Sequence, residues 1–244
     1  MQLEITGLAG LGEVWPGDDL AALIREAAVK ERQAIDRSVV LAVAQKVVSK
    51  AEGSVVDLRT IEPSALARSW AQEWGKDPRL IELILEQSRR LVKMDRGILV
   101  TETRHGFVCA NAGVDQSNTA GDDFATILPQ DPDASARRLR DALGCGAVIV
   151  TDTFGRPWRE GLVDVAIGVA GLEPLEDYRG VTDRRGRPLN VTIIAVADQL
   201  AAAAGLLMRK PDGAPVVLIR GCDWRASEGS ARTLLRRPEQ DLFR

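Results

Sequence analysis

One segment near the middle of the chain collects small and oxygen-bearing side chains where packing groups would be expected. In "CANAGVDQSN" (residues 109–118), Asp115 comes shortly after Gly113, and Asn118 follows three residues later. A carboxylate in this setting suits a hard cation, and the amide can donate a hydrogen bond to a phosphate oxygen. The alternative is an Asx turn, in which Asp115 binds only its own backbone. Spacing alone leaves both interpretations open.

A second acidic segment, "VIVTDTFGRPW", offers another oxygen ligand. Asp152 follows a strand predicted at Ala147 to Thr151 and is flanked by the hydroxyls of Thr151 and Thr153. The carboxyl end of a strand is where an α/β sheet presents its ligands, and Mg²⁺ and Mn²⁺ prefer oxygen donors. We therefore interpret Asp152 as a candidate metal ligand.

Basic side chains accompany these acids. In "AQKVVSKAEG", Lys46 and Lys50 are four residues apart, so on a helical turn they share one face. Either they flank a bound phosphate or they form a solvated lysine face, and both interpretations remain open. Arg156 lies within the second acidic segment, and Arg159 directly follows it. Together these groups favour a site for a metal and a nucleotide.

The sequence excludes several other kinds of site. The one histidine, His105, precedes a glycine and is most simply a turn residue, so a triad or a metal site that uses histidine is available only around this residue. No GxxxxGK[ST] motif occurs, and the glycines of "GLAGLG" do not have the spacing of a dinucleotide-binding loop. A nucleotide site in this chain must therefore be built without a P-loop.

The composition of the chain indicates which partners and which compartment to expect. The 244 residues carry a net charge of −3, which gives no general attraction for nucleic acid. The three cysteines are widely spaced and form no disulfide or zinc pattern, which indicates a reducing cytoplasm. The N-terminus lacks the pattern of a signal peptide, and the alanine-rich run "VTIIAVADQLAAAAGLLM" is interrupted by polar residues, so no membrane span is expected.

The elements that must position these residues include four predicted helices. Apolar spacing and capping residues indicate them. They are "PGDDLAALIREAAVK" with a cap near Asp18, "DPRLIELILEQSRRLV" with Asp77 as N-cap, Pro78 at N1 and arginines in the last turn, "DPDASARRLRDALG" closed by Gly144, and Asn190 to Met208.

Strands are predicted between and after the helices. They are Ser38 to Ala44, a hairpin of "GILVTET" and "GFVCANAGV" around "RHG", "AVIVTDT", "GLVDVAIGVAG" and "APVVLIRG". Because several strands pair as hairpins, we predict an α/β fold of irregular α+β type with mixed sheets. The segment from Arg179 to Asn190 is predicted to be a long exposed loop.

These segments resemble one family, the coenzyme F420-0:L-glutamate ligases. The resemblance runs in order over nearly the whole chain, and "AGVDxSN" followed by "VTDTxGRxWR" is its most specific part. The matching stretches are "GLGEVWPGDDL", "KVVSKAEG", "ILVTETRHGFVCANAGVDQSN", "ILPQDPDASARRLR", "VIVTDTFGRPWREG", "DVAIGVAGL" and "VTIIAVADQLAAAAGLLM".

The resemblance implies a fold and an activity. The implied fold is a single two-lobed γ-glutamyl ligase domain over residues 1–244 that assembles as an intertwined homodimer. The implied activity adds L-glutamate to coenzyme F420-0 with GTP, Mg²⁺ or Mn²⁺ (two ions) and K⁺. Longer relatives continue into a flavin reductase domain, which we expect this chain to lack.

The resemblance also implies roles for individual residues. The implied metal ligands are Asp115, Asp152 and Thr153. The implied GTP contacts are Leu11, Gly12, Glu13, Val14, Gln45, Lys50 and Asn118. The small residues before Asp115 would then let the backbone approach the triphosphate, and Arg156 or Arg159 would clamp a substrate carboxylate.

The chain departs from the family pattern at two places. Gln45 stands where relatives have serine or threonine, so that contact with the nucleotide changes in kind. In "LMRKPDGAP", Lys210 lies where some relatives contribute a metal ligand, and a protonated lysine is not one.

Two other functions remain alternatives. One is a non-catalytic homologue that binds the nucleotide or the deazaflavin. The other is a metal-dependent phosphohydrolase that uses the same carboxylates.

Overall fold

The computed structural model describes residues 2–117, 121–209 and 213–241. Its α-helices are α1 (Leu20–Lys30), α2 (Gln45–Ala51), α3 (Ala65–Trp74), α4 (Pro78–Gln87), α5 (Pro132–Leu143) and α6 (Val196–Gly205). Its strands are β1 (Glu4–Leu8), β2 (Val40–Ala44), β3 (Val55–Asp57), β4 (Ser88–Asp95), β5 (Ile98–Thr103), β6 (Val108–Ala110), β7 (Phe124–Thr126), β8 (Ala147–Arg156), β9 (Arg159–Ala170), β10 (Leu175–Asp177), β11 (Ile193–Ala195) and β12 (Val216–Arg220).

A five-stranded mixed sheet forms the centre, in the order β1-β12-β2-β8-β9. Only β2 and β8 run parallel, while the other neighbours are antiparallel. Val40–Val43 of β2, Val216–Ile219 of β12 and Ala147–Thr151 of β8 are buried and nearly all apolar, as expected for strands covered on both sides. Helices α1, α5 and α6 contribute to the same core.

The remaining strands among the described residues form three smaller sheets. Strands β4, β5 and β6 form an antiparallel sheet, and β3–β7 and β10–β11 are two-stranded. The predicted mixed α/β class is confirmed. That the chain is one domain of two lobes, and that two copies intertwine, stays a prediction.

The predicted helix starts are accurate to one residue where a cap fixes them. α1 begins after Asp19, not Asp18: Asp19 accepts the bond from the Ala22 N–H, and Asp18 instead accepts from the Trp15 N–H. Asp77 caps α4 as predicted. α5 is capped by Asp131 and ends at Gly144, whose φ of 68° suits glycine.

The prediction that arginines lie in the last turn of α4 is wrong. The helix ends at Gln87, and Arg89 and Arg90 belong to β4. Arg90 bonds the buried Glu102 of the neighbouring strand at 2.7 Å. A cross-strand partner therefore decides the end of this helix.

The helix predicted from Asn190 to Met208 is also too long. Ile193–Ala195 form β11, which pairs with β10, and the helix runs only over Val196–Gly205. Branched side chains before Val196 favour the strand. The other predicted strands are present, with β2 two residues shorter than expected. Of "GFVCANAGV" only Val108–Ala110 is strand, because Asn111–Gly113 form a 3-10 turn. The segment 179–190 is exposed as predicted.

Among the described residues, no helix is long and apolar enough to cross a membrane.

Candidate active site

The site lies where the parallel pairing of β2 and β8 ends. The last paired residues are Ala44 and Thr151, after which the chain of β2 turns into α2. β8 continues to Arg156, paired only with β9. The sequence placed Asp152 at the end of its strand, but in the structure the strand continues past it. Asp152 is the first residue beyond the parallel pair, where one flank of β8 is open.

Helix α2 brings a lysine to the other acidic segment. Lys46 Nζ lies 2.7 Å from Asp115 Oδ2 and donates a hydrogen bond of 2.5 Å to Ser117 Oγ. Both lysines of α2 lie on one face, as predicted, but each pairs with a carboxylate in this structure. Lys50 Nζ is 2.5 Å from Glu13 Oε1.

The loop that carries Asp115 is held by backbone bonds and by a tight turn. Asp115 and Thr126 form an isolated antiparallel bridge with N–H···O distances of 3.0 and 2.8 Å. Gly113 has φ of 72°, and a Cβ there would lie 2.7 Å from Leu128. Packing against Leu128 therefore also requires glycine at position 113, and the approach of a triphosphate to the backbone of this loop stays a prediction.

Asp115 also forms the Asx turn that the sequence left open. Its Oδ1 accepts the Ser117 N–H at 2.7 Å, and its Oδ2 accepts the Ser117 hydroxyl at 2.9 Å. Oδ2 also faces Lys46, so the turn orients the carboxylate towards the site. The two interpretations of Asp115 are compatible.

The two candidate ligands have opposite pKa shifts. Burial raises the pKa of Asp115, but hydrogen bonds from Lys46 and Ser117 outweigh it, and the pKa is lowered. Burial, helped by the charges of Asp115 and Asp164 and opposed by the Thr153 N–H and the charge of Lys46, raises the pKa of Asp152 to about 7. Lys46, two residues after Ala44, pairs with Asp115, and Asp152 directly follows Thr151, the partner of Ala44, so the fold brings both acidic segments to the same end of the parallel pair.

Sequence reasoning missed Asp164 on β9. Asp164 pairs across the hairpin with Thr153, whose hydroxyl donates to Asp164 Oδ1 at 2.8 Å, while the Thr153 N–H donates to Asp152 at 2.9 Å. The available signal was a single carboxylate inside the apolar run "GLVDVAIGVAG". The strand prediction was correct, but only the cross-strand register shows what this carboxylate contacts.

The donor set suits a hard divalent cation in part. Asp115, Asp152 and Thr153 supply carboxylate and hydroxyl oxygens, which is the chemistry that Mg²⁺ and Mn²⁺ prefer. Across the described ranges, however, no three Asp, Glu, His or Cys residues gather closely enough to hold a metal ion. Such a cation would take its remaining ligands from water or phosphate, as Mg²⁺ commonly does.

The residues assigned to GTP fall into two groups. Leu11 and Val14 are buried, which leaves Gly12 and Glu13 exposed beside Lys50. Gln45 is buried, and its Oε1 accepts a 2.8 Å bond from the Ser49 hydroxyl. The structure therefore joins the segment 11–14 to α2, while the Gln45 carbonyl oxygen is already bonded.

The two arginines lie at the tip of the β8–β9 hairpin, not beside the acids. Arg156 is paired with Arg159 and donates to the carbonyls of Glu160 and Gly161. Within the ranges described, neither arginine forms an ion pair. Asn118 and Lys210 lie outside the described residues.

A groove of about 490 Å³ borders the site on the far side of Asp164. It lies between β9, β11 and α6, and its walls are mostly apolar. Its polar lining consists of Asp164, Asp198 and Gln199. Asp198 accepts the Ala166 N–H at 2.9 Å and so joins α6 to β9.

Cys109 and His105 are unsuited to covalent catalysis. Burial and the nearby charge of Asp152 raise the pKa of Cys109 to about 12, so its thiol stays protonated at neutral pH. His105 lies in a turn, with its Nε2 3.2 Å from the Gln130 carbonyl oxygen, as expected for a turn residue.

Comparison with known proteins gives a consistent result. The family model for F420-0:Gamma-glutamyl ligase matches residues 10–221. A Methanothermobacter thermautotrophicus protein named Coenzyme F420:L-glutamate ligase is 47% identical, with all of both chains covered. Proteins of the same name from Methanopyrus kandleri and Natronomonas pharaonis are 48% and 43% identical, covering 95% and 99% of this chain and 94% and 95% of theirs.

Proposed function

The chain belongs to the F420-0:Gamma-glutamyl ligase family, and from this premise we propose that it adds L-glutamate to coenzyme F420-0 at the expense of GTP. The observation that carries the proposal is the ion pair of Lys46 with Asp115 at the open end of the parallel pair, where Asp152 directly follows the last paired residue Thr151. A cluster of acids and lysines at such a position suits phosphoryl transfer from a nucleotide.

The reaction joins a carboxylate to an amine. The acceptor carboxylate attacks the γ-phosphorus of GTP, which gives an acyl phosphate and GDP. The amine of glutamate then attacks the acyl carbon, phosphate leaves, and an amide remains, which is γ-glutamyl when the activated carboxylate is the γ-carboxylate of a glutamate added before. Activation is necessary because a free carboxylate is a poor acyl donor at neutral pH.

We assign the metal-holding role to Asp115, Asp152 and Thr153. Two Mg²⁺ or Mn²⁺ ions, when bound, neutralise charge on the transferring phosphoryl group, and K⁺ completes the proposed set. The Asx turn keeps both oxygens of Asp115 oriented. Lys46 offsets part of the negative charge of the acids.

The nucleotide contacts are assigned next to this cluster. Lys50 lies beside the exposed backbone at Gly12 and Glu13. A cation next to free N–H groups suits the binding of a phosphate. We keep Leu11, Val14, Gln45 and Asn118 in the nucleotide set on family resemblance. Arg159, exposed at the hairpin tip, or Arg156 is proposed to hold a substrate carboxylate.

We also propose that the protein acts as a homodimer in the cytoplasm. Large apolar side chains are exposed at the β8–β9 hairpin, namely Trp158 (79%) and Leu162 (66%). Val191, next to β11, is 87% exposed. Burial of such groups against a second copy would be favourable. Free thiols at all three cysteines suit a reducing compartment.

Mass spectrometry of F420-0 incubated with the protein, GTP, Mn²⁺ and L-glutamate tests the activity. A mass increase by glutamate residues, with release of GDP that requires both glutamate and the deazaflavin, is the expected result. GTP hydrolysis without either co-substrate would indicate the phosphohydrolase. Binding without any turnover would indicate the non-catalytic homologue.

A further inference from the structure

We propose that Asp164 is a positioning residue for the metal site and acts by orienting the hydroxyl of Thr153. The inference rests on the proposed function, because it concerns the metal ligands assigned there. Neither the sequence motifs nor the resemblance assigned any role to Asp164.

The geometry of the β8–β9 hairpin supports this role. Thr153 and Asp164 are register partners, and the Thr153 hydroxyl donates its proton to Asp164 Oδ1 at 2.8 Å. A hydroxyl that donates to a carboxylate keeps its lone pairs for a cation. Its rotation is then fixed, which is how groups behind a metal ligand commonly raise its affinity.

Asp164 is poorly explained as a purely structural residue. Its carboxylate is packed against the backbone of α6 at Gly205, where an uncompensated charge is unfavourable for folding. Among the described residues it forms no ion pair. A local cost of this kind is typical of functional sites.

Direct metal ligation by Asp164 is not the favoured alternative. The described residues contain no group of three acids, histidines or cysteines close enough to share one ion. Asp164 therefore stands behind Thr153, and the assigned ligands remain Asp115, Asp152 and Thr153.

Helix α6 leaves space for this carboxylate. A Cβ added at Gly205 would lie 2.1 Å from Asp164 Oδ2, so only glycine allows the observed contact. The carboxylate is thus confined between the helix backbone and Thr153.

The test uses Mn²⁺ binding by the whole protein in the presence of GDP, followed by the electron paramagnetic resonance signal of free Mn²⁺. Asp164→Ala removes the acceptor, whereas Asp164→Asn keeps an oxygen that can accept from Thr153. We expect Asp164→Ala to weaken Mn²⁺ binding by about 10- to 100-fold and Asp164→Asn by less than about threefold.

Thr153→Val supplies the decisive comparison. If Asp164 acts through the hydroxyl, Asp164→Ala has no further effect on Mn²⁺ affinity in the Thr153→Val background. Asp198→Asn is the matched control, because it also removes a groove carboxylate while it keeps the acceptor for Ala166, and it should leave Mn²⁺ affinity unchanged. Thermal unfolding shows that each variant is folded.

The outcomes separate this inference from the proposed function. If the wild type binds Mn²⁺ and Asp164→Ala binds it equally well, the positioning role is overturned while the metal site stands. Equal losses in Asp164→Ala and Asp164→Asn, or additive losses with Thr153→Val, also overturn it, because charge or another route would then explain the effect. A wild type that binds no Mn²⁺ overturns the metal site and the inference with it.

Discussion

At the scale of residues, the site contains two carboxylates whose pKa values are shifted in opposite directions. Asp115 receives Lys46 and Ser117 and has a lowered pKa, whereas Asp152 receives one backbone N–H and has a pKa of about 7. Pairs of acids with opposite shifts are typical of functional sites. In the metal-free protein, ionisation is therefore favoured at Asp115 and disfavoured at Asp152.

Asp152→Asn should abolish ligation and stabilise the metal-free protein above pH 7. The folded wild type holds a proton on Asp152 up to about pH 7, while the unfolded chain releases it near pH 3.8. The folded state thus binds more protons between these values, and this contribution to stability, fully present below pH 3.8, is lost as pH rises through 7. The variant should gain on the order of 1–4 kcal/mol at pH 8.

Urea unfolding in EDTA from pH 4 to pH 8 checks this expectation. The wild type should lose stability relative to Asp152→Asn as pH rises through the window. Parallel stability curves would contradict the raised pKa, and wild-type turnover by the variant would exclude Asp152 as a metal ligand.

Lys50→Ala should weaken GTP binding by roughly one to two orders of magnitude. The change removes a charge-assisted hydrogen bond of about 1.5–3 kcal/mol to phosphate. Affinity for the deazaflavin, measured without nucleotide, should stay nearly constant. Equilibrium binding of a labelled GTP analogue gives the comparison.

The choice of control for Lys50 depends on the structure. Lys46, to which the resemblance assigns no GTP contact, pairs with Asp115 and belongs to the site. Lys30→Ala, at the exposed end of α1, is the better control and should leave binding unchanged. If Lys46→Ala weakens GTP binding and Lys50→Ala does not, the nucleotide assignment has the wrong lysine.

At the scale of elements, α6 and β9 must approach closely for Asp164 to reach Thr153. Gly205→Ala should destabilise the protein by about 1–3 kcal/mol, because the new Cβ meets Asp164 Oδ2 at 2.1 Å. Helix propensity alone predicts the opposite, a gain of up to about 1 kcal/mol. Thermal unfolding decides the sign.

Gly155→Ala is a suitable comparison for the Gly205 variant. A Cβ at Gly155 meets nothing within 4 Å, and its φ lies outside the left-handed region. Its stability should therefore change little. A stabilised Gly205→Ala would show that α6 moves away from β9 at no cost.

At the scale of the whole molecule, light scattering at micromolar concentration should give twice the chain mass of 26.4 kDa. Trp158→Ser with Leu162→Ser should weaken the dimer, because both side chains are exposed on the β8–β9 hairpin and would be buried by a second copy. Leu66→Ser, on α3, is the matched surface control. A monomeric wild type would refute the proposed assembly.

The sequence determined those features that neighbours along the chain decide. Asp77 and Asp131 cap the starts of α4 and α5, and Gly144 closes α5, as capping chemistry predicts. The prediction is local because a cap bonds a backbone group only a few residues away. The acids Asp115 and Asp152, the lysine face of α2 and the family motifs were likewise visible in short segments. The ends of α4 and α6 were mispredicted because strand partners distant in sequence compete there with helix propensity.

Only the tertiary structure decided which of these residues meet. Lys46 reaches Ser117 across 71 positions because α2 starts where β2 leaves its parallel partner β8. Asp164 faces Thr153 because of the register of β8 and β9, and a shift of one residue would turn it to the other face of the sheet. Pairing and register depend on burial summed over whole strands, so a local segment cannot reveal them.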